Sequence, residues 1–107
     1  EFNQALENIQ ELKYTASEAR QMAVTLIKLK QDKEAVNLLN QAIKQYEKDW
    51  GMRLYHGIAY YYLGKKSAAT VALKQCAKIC PEGFKPRLEM ITNQMKKGEY
   101  QFPQRKS

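Results

Sequence analysis

The sequence predicts an all-α fold of repeated antiparallel helix pairs, about five helices in all. The chain matches itself without a gap at an offset of 34 residues. Apolar residues recur within each unit at the 3.6-residue period of a helix. Helix-capping residues and glycines separate the apolar segments. Between residues 16–49 and 50–83, the identical pairs at this offset are Leu29 with Leu63, Ala35 with Ala69, Leu39 with Leu73, Gln41 with Gln75 and Lys44 with Lys78.

The first predicted unit covers residues 16–49. Thr15 and Glu18 have the spacing of a capping box, which starts a helix by satisfying two free backbone N–H groups. Asp32 is expected to cap the second helix, because aspartate is a favoured N-cap residue. An apolar stripe from Ala35 to Tyr46 follows it. These signals predict two helices joined by a short turn.

The second predicted unit covers residues 50–83. Asp49 is expected to cap its first helix, and Gly64 to end that helix, because glycine accepts the left-handed backbone that follows many helices. Ser67 is expected to cap the second helix, and Pro81 to stop it.

Both flanks are predicted to carry one more helix within a single domain over residues 1–98. Residues 2–13 have helical apolar spacing, and Pro86 suits the first turn of a capping helix over residues 85–97. Residues 99–107 are expected to form an unpaired tail. Because the chain begins with Glu1 and lacks an initiator Met, we expect it to be part of a longer protein or a processed form.

Composition favours a soluble protein that binds acidic partners. The net charge of +7 comes from scattered lysine and arginine residues, the pattern of solvated helix faces. No apolar run approaches the ~20 residues that span a bilayer, so we expect no membrane insertion and a cytoplasmic location. Cys76 and Cys80 lie four apart and are interpreted as small apolar helix residues.

Enzyme chemistry is not indicated by any motif. His56 is the single histidine, and the pattern favours a partly buried structural role for it. The glycines are isolated, and no phosphate-binding loop or metal-ligand cluster is present in the sequence. The sequence therefore predicts a non-enzymatic chain without a metal or cofactor.

Residues 60–81 (YYYLGKKSAATVALKQCAKICP) resemble the second half of a tetratricopeptide repeat, and the 34-residue period is that of the family. The first unit matches the family more sparsely and lacks its closing proline. Ala19 and Arg53 stand where the family has tryptophan. The matching positions are Gly57, Ala59, Tyr60, Leu63, Gly64, Ala69, Leu73 and Pro81, and in the first unit Ala23, Leu29, Ala35, Leu39 and Ala42.

The resemblance implies a right-handed superhelix whose concave wall is formed by the first helix of each unit. It also implies a protein–protein interaction module, an adaptor or a scaffold. Helical phase predicts a groove of apolar anchors with a basic rim, suited to a short apolar and acidic segment, helical or extended. The predicted groove residues are Arg20, Val24, Ile27, Lys28, Leu54, Ile58, Tyr61, Tyr62 and Lys85, and Leu88 and Thr92 would continue the wall.

Some family members bind the acidic C-termini of heat-shock chaperones through five polar clamp residues. Arg20 and Lys85 match two of these positions, but Val24, Tyr55 and Glu89 replace the other three. The sequence therefore argues against that ligand.

Three other interpretations remain open. The apolar groove residues could be covered by neighbouring helices or lie at core edges. One chain's tail, with Tyr100 and Phe102, could occupy another chain's groove in a homo-oligomer. Nucleic acid could bind a stripe of Lys65, Lys66, Lys74 and Lys78, although no nucleic-acid motif or interleaved aromatic residue supports it.

Overall fold

The computed structural model describes residues 13–105, and this part of the chain is all-α, as predicted. Its helices are α1 (Ala16–Lys28), α2 (Asp32–Gln45), α3 (Trp50–Tyr62), α4 (Lys66–Ile79) and α5 (Lys85–Lys96), with a 3-10 turn at Glu82–Phe84. The pairs α1–α2 and α3–α4 are the two predicted units, and α3 packs on α1, α2 and α4. The helix predicted for residues 2–13 falls on residues outside the described part, apart from Lys13, which is not helical.

Two of the predicted helix caps are confirmed. The Thr15 hydroxyl accepts a hydrogen bond from the Glu18 amide (3.1 Å), and the Glu18 carboxylate accepts one from the Thr15 amide (2.9 Å). The Asp49 carboxylate accepts a bond from the Met52 amide (3.0 Å) at the start of α3. These side-chain bonds, reciprocal at Thr15 and Glu18 and single at Asp49, satisfy N–H groups that have no partner inside a helix.

The other two predicted caps are wrong. Gln31 is the N-cap of α2, and Asp32 is its first residue, because the Asp32 carboxylate is bonded to the Arg105 side chain instead. Helix α4 begins one residue before Ser67, with Lys65 at its N-cap and no side-chain capping bond. Both helices therefore start without the side-chain cap that the sequence suggests.

The 34-residue period extends into a third unit. Lys30, Gly64 and Gly98 have φ angles of 63°, 77° and 72° and follow α1, α3 and α5 at equal spacing. Each helix ends with the N–H two residues past its C-cap bonded to a carbonyl of its last turn, the pattern of a Schellman motif. Helix α5 is therefore the first helix of a third unit.

This third unit has no second helix. By the period that helix would begin at Tyr100, but residues 99–105 are not helical. Pro103 has no N–H to donate, and a turn closes around it, with the Arg105 amide bonded to the Phe102 carbonyl (3.2 Å). The chain instead folds back onto the first helices, and Tyr100 and Phe102 are only 9% and 8% exposed. The expectation of an unpaired tail is thus corrected; we call residues 99–105 the tail segment.

Small residues allow the helices to approach closely. A Cβ added at Gly57 in α3 would lie 2.9 Å from side-chain atoms of Leu73 in α4. Ala35 and Ala69 are buried at equivalent positions of α2 and α4. Cys76 is also buried, and burial raises the pKa of its thiol to about 12, which fits a packing role.

Candidate functional site

A concave cavity of about 710 Å³ opens between the first helices and the tail segment. Helices α1 and α3 supply its apolar floor, α5 supplies one wall, and the tail segment supplies another. The side chains and backbone that line it belong to Arg20, Val24, Lys28, Lys48, Asp49, Trp50, Gly51, Leu54, Tyr55, Ile58, Phe84, Arg87, Ile91, Tyr100, Phe102 and Pro103.

Five of the nine predicted groove residues line this concave cavity. Leu54 and Ile58 form part of the floor and are 8% and 1% exposed, while Val24 beside them is half-buried. Arg20 and Lys28 stand at the edge of the same cavity on α1. The floor is thus more deeply covered than an open groove would be, because the tail segment packs in the same apolar cluster.

The other four predicted residues lie elsewhere. Ile27 is fully buried in the cluster that holds Ala35 and Val36 of α2. Tyr61 and Tyr62 contact the ring of Tyr100, so the tail segment occupies their surface. Lys85 is paired with Glu82 (3.0 Å) and borders a shallow groove between α4 and α5.

Helix α5 presents a different face to the cavity from the one that helical phase predicts. Leu88 and Thr92 border the shallow groove with Lys85, whereas Arg87 and Ile91 face the concave cavity. At the position equivalent to Arg87, Ala19 packs on α2 within the first unit. Because the third unit has no second helix, Arg87 and Ile91 are left to face the cavity. Pro103 was the sequence signal that could have shown that the third unit has no second helix.

The edge of the cavity carries an excess of positive charge. Arg20 forms an ion pair with Asp49, whose second oxygen caps α3, so this arginine is held in place and its charge is offset. Lys48 and Arg87 also border the cavity, and neither has an acidic partner within residues 13–105. Neither residue was predicted from the sequence, because Lys48 lies in a loop and the position of Arg87 depends on the orientation of α5.

Aromatic contacts hold the tail segment against α3. The Phe102 amide donates to the Tyr62 hydroxyl (2.8 Å), and the Phe102 ring meets that of Tyr55 edge-on with centroids 6.3 Å apart. The Tyr100 ring lies 6.0 Å from Tyr61 and 6.5 Å from Tyr62. Burial, followed by the nearby Tyr62 and Tyr55, raises the pKa of Tyr100.

Arg105 ends the tail segment in an ion pair with Asp32. Its guanidinium donates to both Asp32 oxygens at 2.7 and 2.9 Å and to the Ile27 carbonyl at 2.7 Å. The same group lies 3.6 Å from the centre of the Tyr62 ring, a cation–π distance. The bond to Asp32 raises the pKa of Arg105. The sequence could not show this pair, because its partners are 73 residues apart.

His56 lies outside the cavity and has a structural environment. Its Nε2 is 2.8 Å from Oδ1 of Asn40, and its ring lies against the Tyr60 ring at a tilt of 52°, with centroids 4.6 Å apart. Burial, and secondarily Arg53, lowers the pKa of His56 to about 4. Within residues 13–105, no cluster of three or more histidine, cysteine or acidic side chains could hold a metal. No helix in that part is long and apolar enough to cross a membrane.

The family model described as tetratricopeptide repeat matches residues 21–49, which cover most of α1 and all of α2. Curated proteins and solved structures gave no match. The matched unit shares its period and helix ends with α3–α4 and with α5. Residues 21–49 therefore match a tetratricopeptide repeat, and repeats of this family serve generally as protein–protein interaction modules.

Proposed function

We propose that the concave cavity binds a short apolar and acidic segment of a partner protein, and that the chain acts as an adaptor or scaffold rather than as an enzyme. The observation that carries this proposal is an apolar floor beneath a basic edge in one cavity. Its volume of about 710 Å³ lies in the range of ligand-binding pockets, which are mostly apolar with a few polar groups that fix orientation.

The positive charge gathers at one edge of the cavity. Lys48 lies next to Asp49, the N-cap of α3, and Arg87 lies in the first turn of α5. The positive ends of two helix macrodipoles therefore lie near these cations and favour an acidic group there. The rings of Trp50 and Phe84 pack against each other at the same edge, tilted by 43° with centroids 4.5 Å apart, which adds apolar surface beside the charge.

The basic residues outside the cavity support nucleic-acid binding less well. Lys74 and Lys96 border the shallow groove between α4 and α5, and no aromatic side chain lines that groove. Single-stranded nucleic acid is usually held by stacking on aromatic rings beside the basic residues. The shallow groove lacks such rings, and the apolar floor of the concave cavity suits the apolar side chains of a protein segment, which is therefore the favoured ligand.

Selection from a random peptide library tests the proposal. The bait is the intact chain, and the test variant is Lys48→Glu/Arg87→Glu, which reverses the charge at the cavity edge. The matched control is Lys74→Glu/Lys96→Glu, which makes the same charge change in the shallow groove. We expect the intact chain and the control to enrich one acidic and apolar motif, and the test variant to bind it at least tenfold more weakly.

Two results would reject the proposed function: no enriched motif, or equal binding of the motif by the test variant. Circular dichroism is used to check that both variants are folded. Salt dependence separates the two ligand classes, because binding through phosphates falls about a thousandfold or more between roughly 50 and 200 mM salt. A peptide anchored by apolar side chains should keep most of its affinity over that range.

A further inference from the structure

The tail segment occupies one end of the concave face with an arginine. We infer that Asp32, the Tyr62 ring and the Ile27 carbonyl form an arginine-binding subsite, which an arginine-containing segment of a partner protein enters by displacing the tail segment. This inference rests on the proposed function and specifies the partner's chemistry at the end of the concave face that carries Asp32.

The subsite is built for a guanidinium group. Asp32 is 7% exposed, and both of its oxygens accept bonds from different nitrogens of Arg105. The Ile27 carbonyl accepts a third hydrogen bond from the guanidinium of Arg105. The Tyr62 ring lies against the flat face of the same guanidinium. A lysine ammonium is a point charge and cannot make this planar, two-pronged pair. A buried carboxylate without a cation is costly, so the subsite requires an occupant.

The contacts of the tail segment also define the neighbouring part of the ligand. Tyr100 and Phe102 lie two residues apart and pack on the tyrosine rings of α3. The Phe102 main chain is held by the Tyr62 hydroxyl. The turn at Pro103 then brings Arg105 to Asp32. We therefore expect a partner segment with two aromatic residues two positions apart and an arginine three positions after the second.

The tail segment has the features of an exchangeable occupant. It is joined to α5 through Gly98, whose φ is 72°, and Gln104 within it has a φ of 62°, which is strained for a residue other than glycine. Four of its seven residues are exposed, Glu99, Gln101, Pro103 and Gln104. Tyr100, Phe102 and Pro103 also line the concave cavity, so departure of the segment would enlarge that cavity. A partner segment could then reach Asp32 and the basic edge together.

A peptide with the sequence of residues 99–105 tests the subsite. A fluorescent Glu-Tyr-Gln-Phe-Pro-Gln-Arg peptide, blocked at both ends, is titrated with the intact chain and read by anisotropy. We expect weak binding, because the tethered tail segment competes at high effective concentration. The variant Phe102→Ala/Arg105→Gln should bind the peptide at least tenfold more tightly. The exposed-site control Gln101→Ala should behave as the unaltered chain.

Two further comparisons isolate the arginine. A peptide ending in glutamine should bind the Phe102→Ala/Arg105→Gln variant at least tenfold more weakly, and adding Asp32→Asn to that variant should remove the preference for arginine. If the double variant fails to fold, Arg105→Lys alone keeps the charge, loses the two-pronged pair and should bind the arginine peptide more tightly than the unaltered chain does.

The inference is overturned if the arginine and glutamine peptides bind equally, or if loosening the tail segment leaves affinity unchanged. It is also overturned if the unaltered chain is a dimer that Phe102→Ala/Arg105→Gln converts to a monomer, because the tail segment would then serve a second copy. The library selection can fail while the peptide of residues 99–105 still binds in a way that depends on its arginine. That outcome would reject the proposed function at the basic edge and support the subsite.

Discussion

Within residues 13–105, a residue with left-handed backbone follows the end of three helices, and in one case that residue is a lysine. Lys30 has a φ of 63°, whereas the equivalent positions are Gly64 and Gly98. A side chain in this conformation costs roughly 1 kcal/mol that glycine avoids. Equivalent positions of the repeat therefore allow a comparison between glycine, which fits this helix end, and lysine, which is strained there.

Replacing Lys30 with glycine should stabilise the protein. We expect Lys30→Gly to raise the free energy of unfolding by about 0.5–1 kcal/mol, since relief of strain is partly offset by the greater entropy of glycine in the unfolded chain. Urea denaturation measures the change. The reverse exchange, Gly64→Ala, should destabilise the protein by about 1 kcal/mol, because alanine is strained in the left-handed backbone conformation of this position. Nothing lies within 4 Å of an added Cβ, so no steric clash contributes. A loss of stability in Lys30→Gly would contradict this.

His56 should make stability depend on acid pH. Its pKa is about 4 in the folded chain, against the ordinary histidine value of 6.5 in the unfolded chain, so the unfolded state binds more protons between these values. The stability that His56 contributes is therefore present above pH 6.5 and is lost as the pH falls towards 4. His56→Gln, which can still donate to Asn40, should lose less stability than the unaltered chain between pH 7 and 4.5. Equal losses in urea denaturation at the two pH values would reject this assignment.

At the scale of elements, the contact between α3 and α4 depends on a missing side chain. Gly57→Ala would place a methyl group 2.9 Å from Leu73, and overpacking of this kind costs about 1–3 kcal/mol. Thermal and urea unfolding should show that loss. Gly83→Ala is the matched control, because an added Cβ there has nothing within 4 Å and is expected to change stability little. Similar stabilities of Gly57→Ala and Gly83→Ala would mean that α3 and α4 can move apart without cost.

Local signals in the sequence were sufficient for most elements. The Thr15 capping box, the Asp49 cap and the 34-residue period depend on residues close together in the chain or on simple repetition, and each appears in the structure. The starts of α2 and α4 were each placed differently from the prediction. For α2 the cause is long-range, because Asp32 is engaged by a residue near the other end of the chain.

The candidate site was predicted only where its helices follow the regular repeat. Val24, Leu54 and Ile58 lie on the two first helices that pack as the period requires, and they line the cavity. Lys85 does not, because the third unit has no second helix to set the orientation of α5. No periodic pattern could have shown that the tail segment fills the vacant place.

At the scale of the whole molecule, we expect the tail segment to open more easily than the helices. The Phe102 amide is bonded to a side-chain hydroxyl, not to another backbone group. Tyr62→Phe removes that acceptor and keeps the ring beneath Arg105. A hydrogen bond contributes about 1 kcal/mol net, so the Phe102 amide should exchange roughly fivefold faster while the α3 and α4 amides are unchanged. Nuclear magnetic resonance exchange measures both. A uniform increase would show that tail segment and helices unfold together.

The path of the tail segment also limits the shape of a ligand that replaces it. It runs from Gly98 at the end of α5, past Tyr62 on α3, to Asp32 beyond the end of α1. Packed helices lie about 8–10 Å apart, so this crossing is on the order of 20 Å. Seven extended residues reach at most about 23 Å, whereas seven helical residues span only about 10 Å. A short partner segment that follows this path must therefore be extended up to a turn before its arginine, as the tail segment is; a helix would need roughly twice as many residues to cover the same distance.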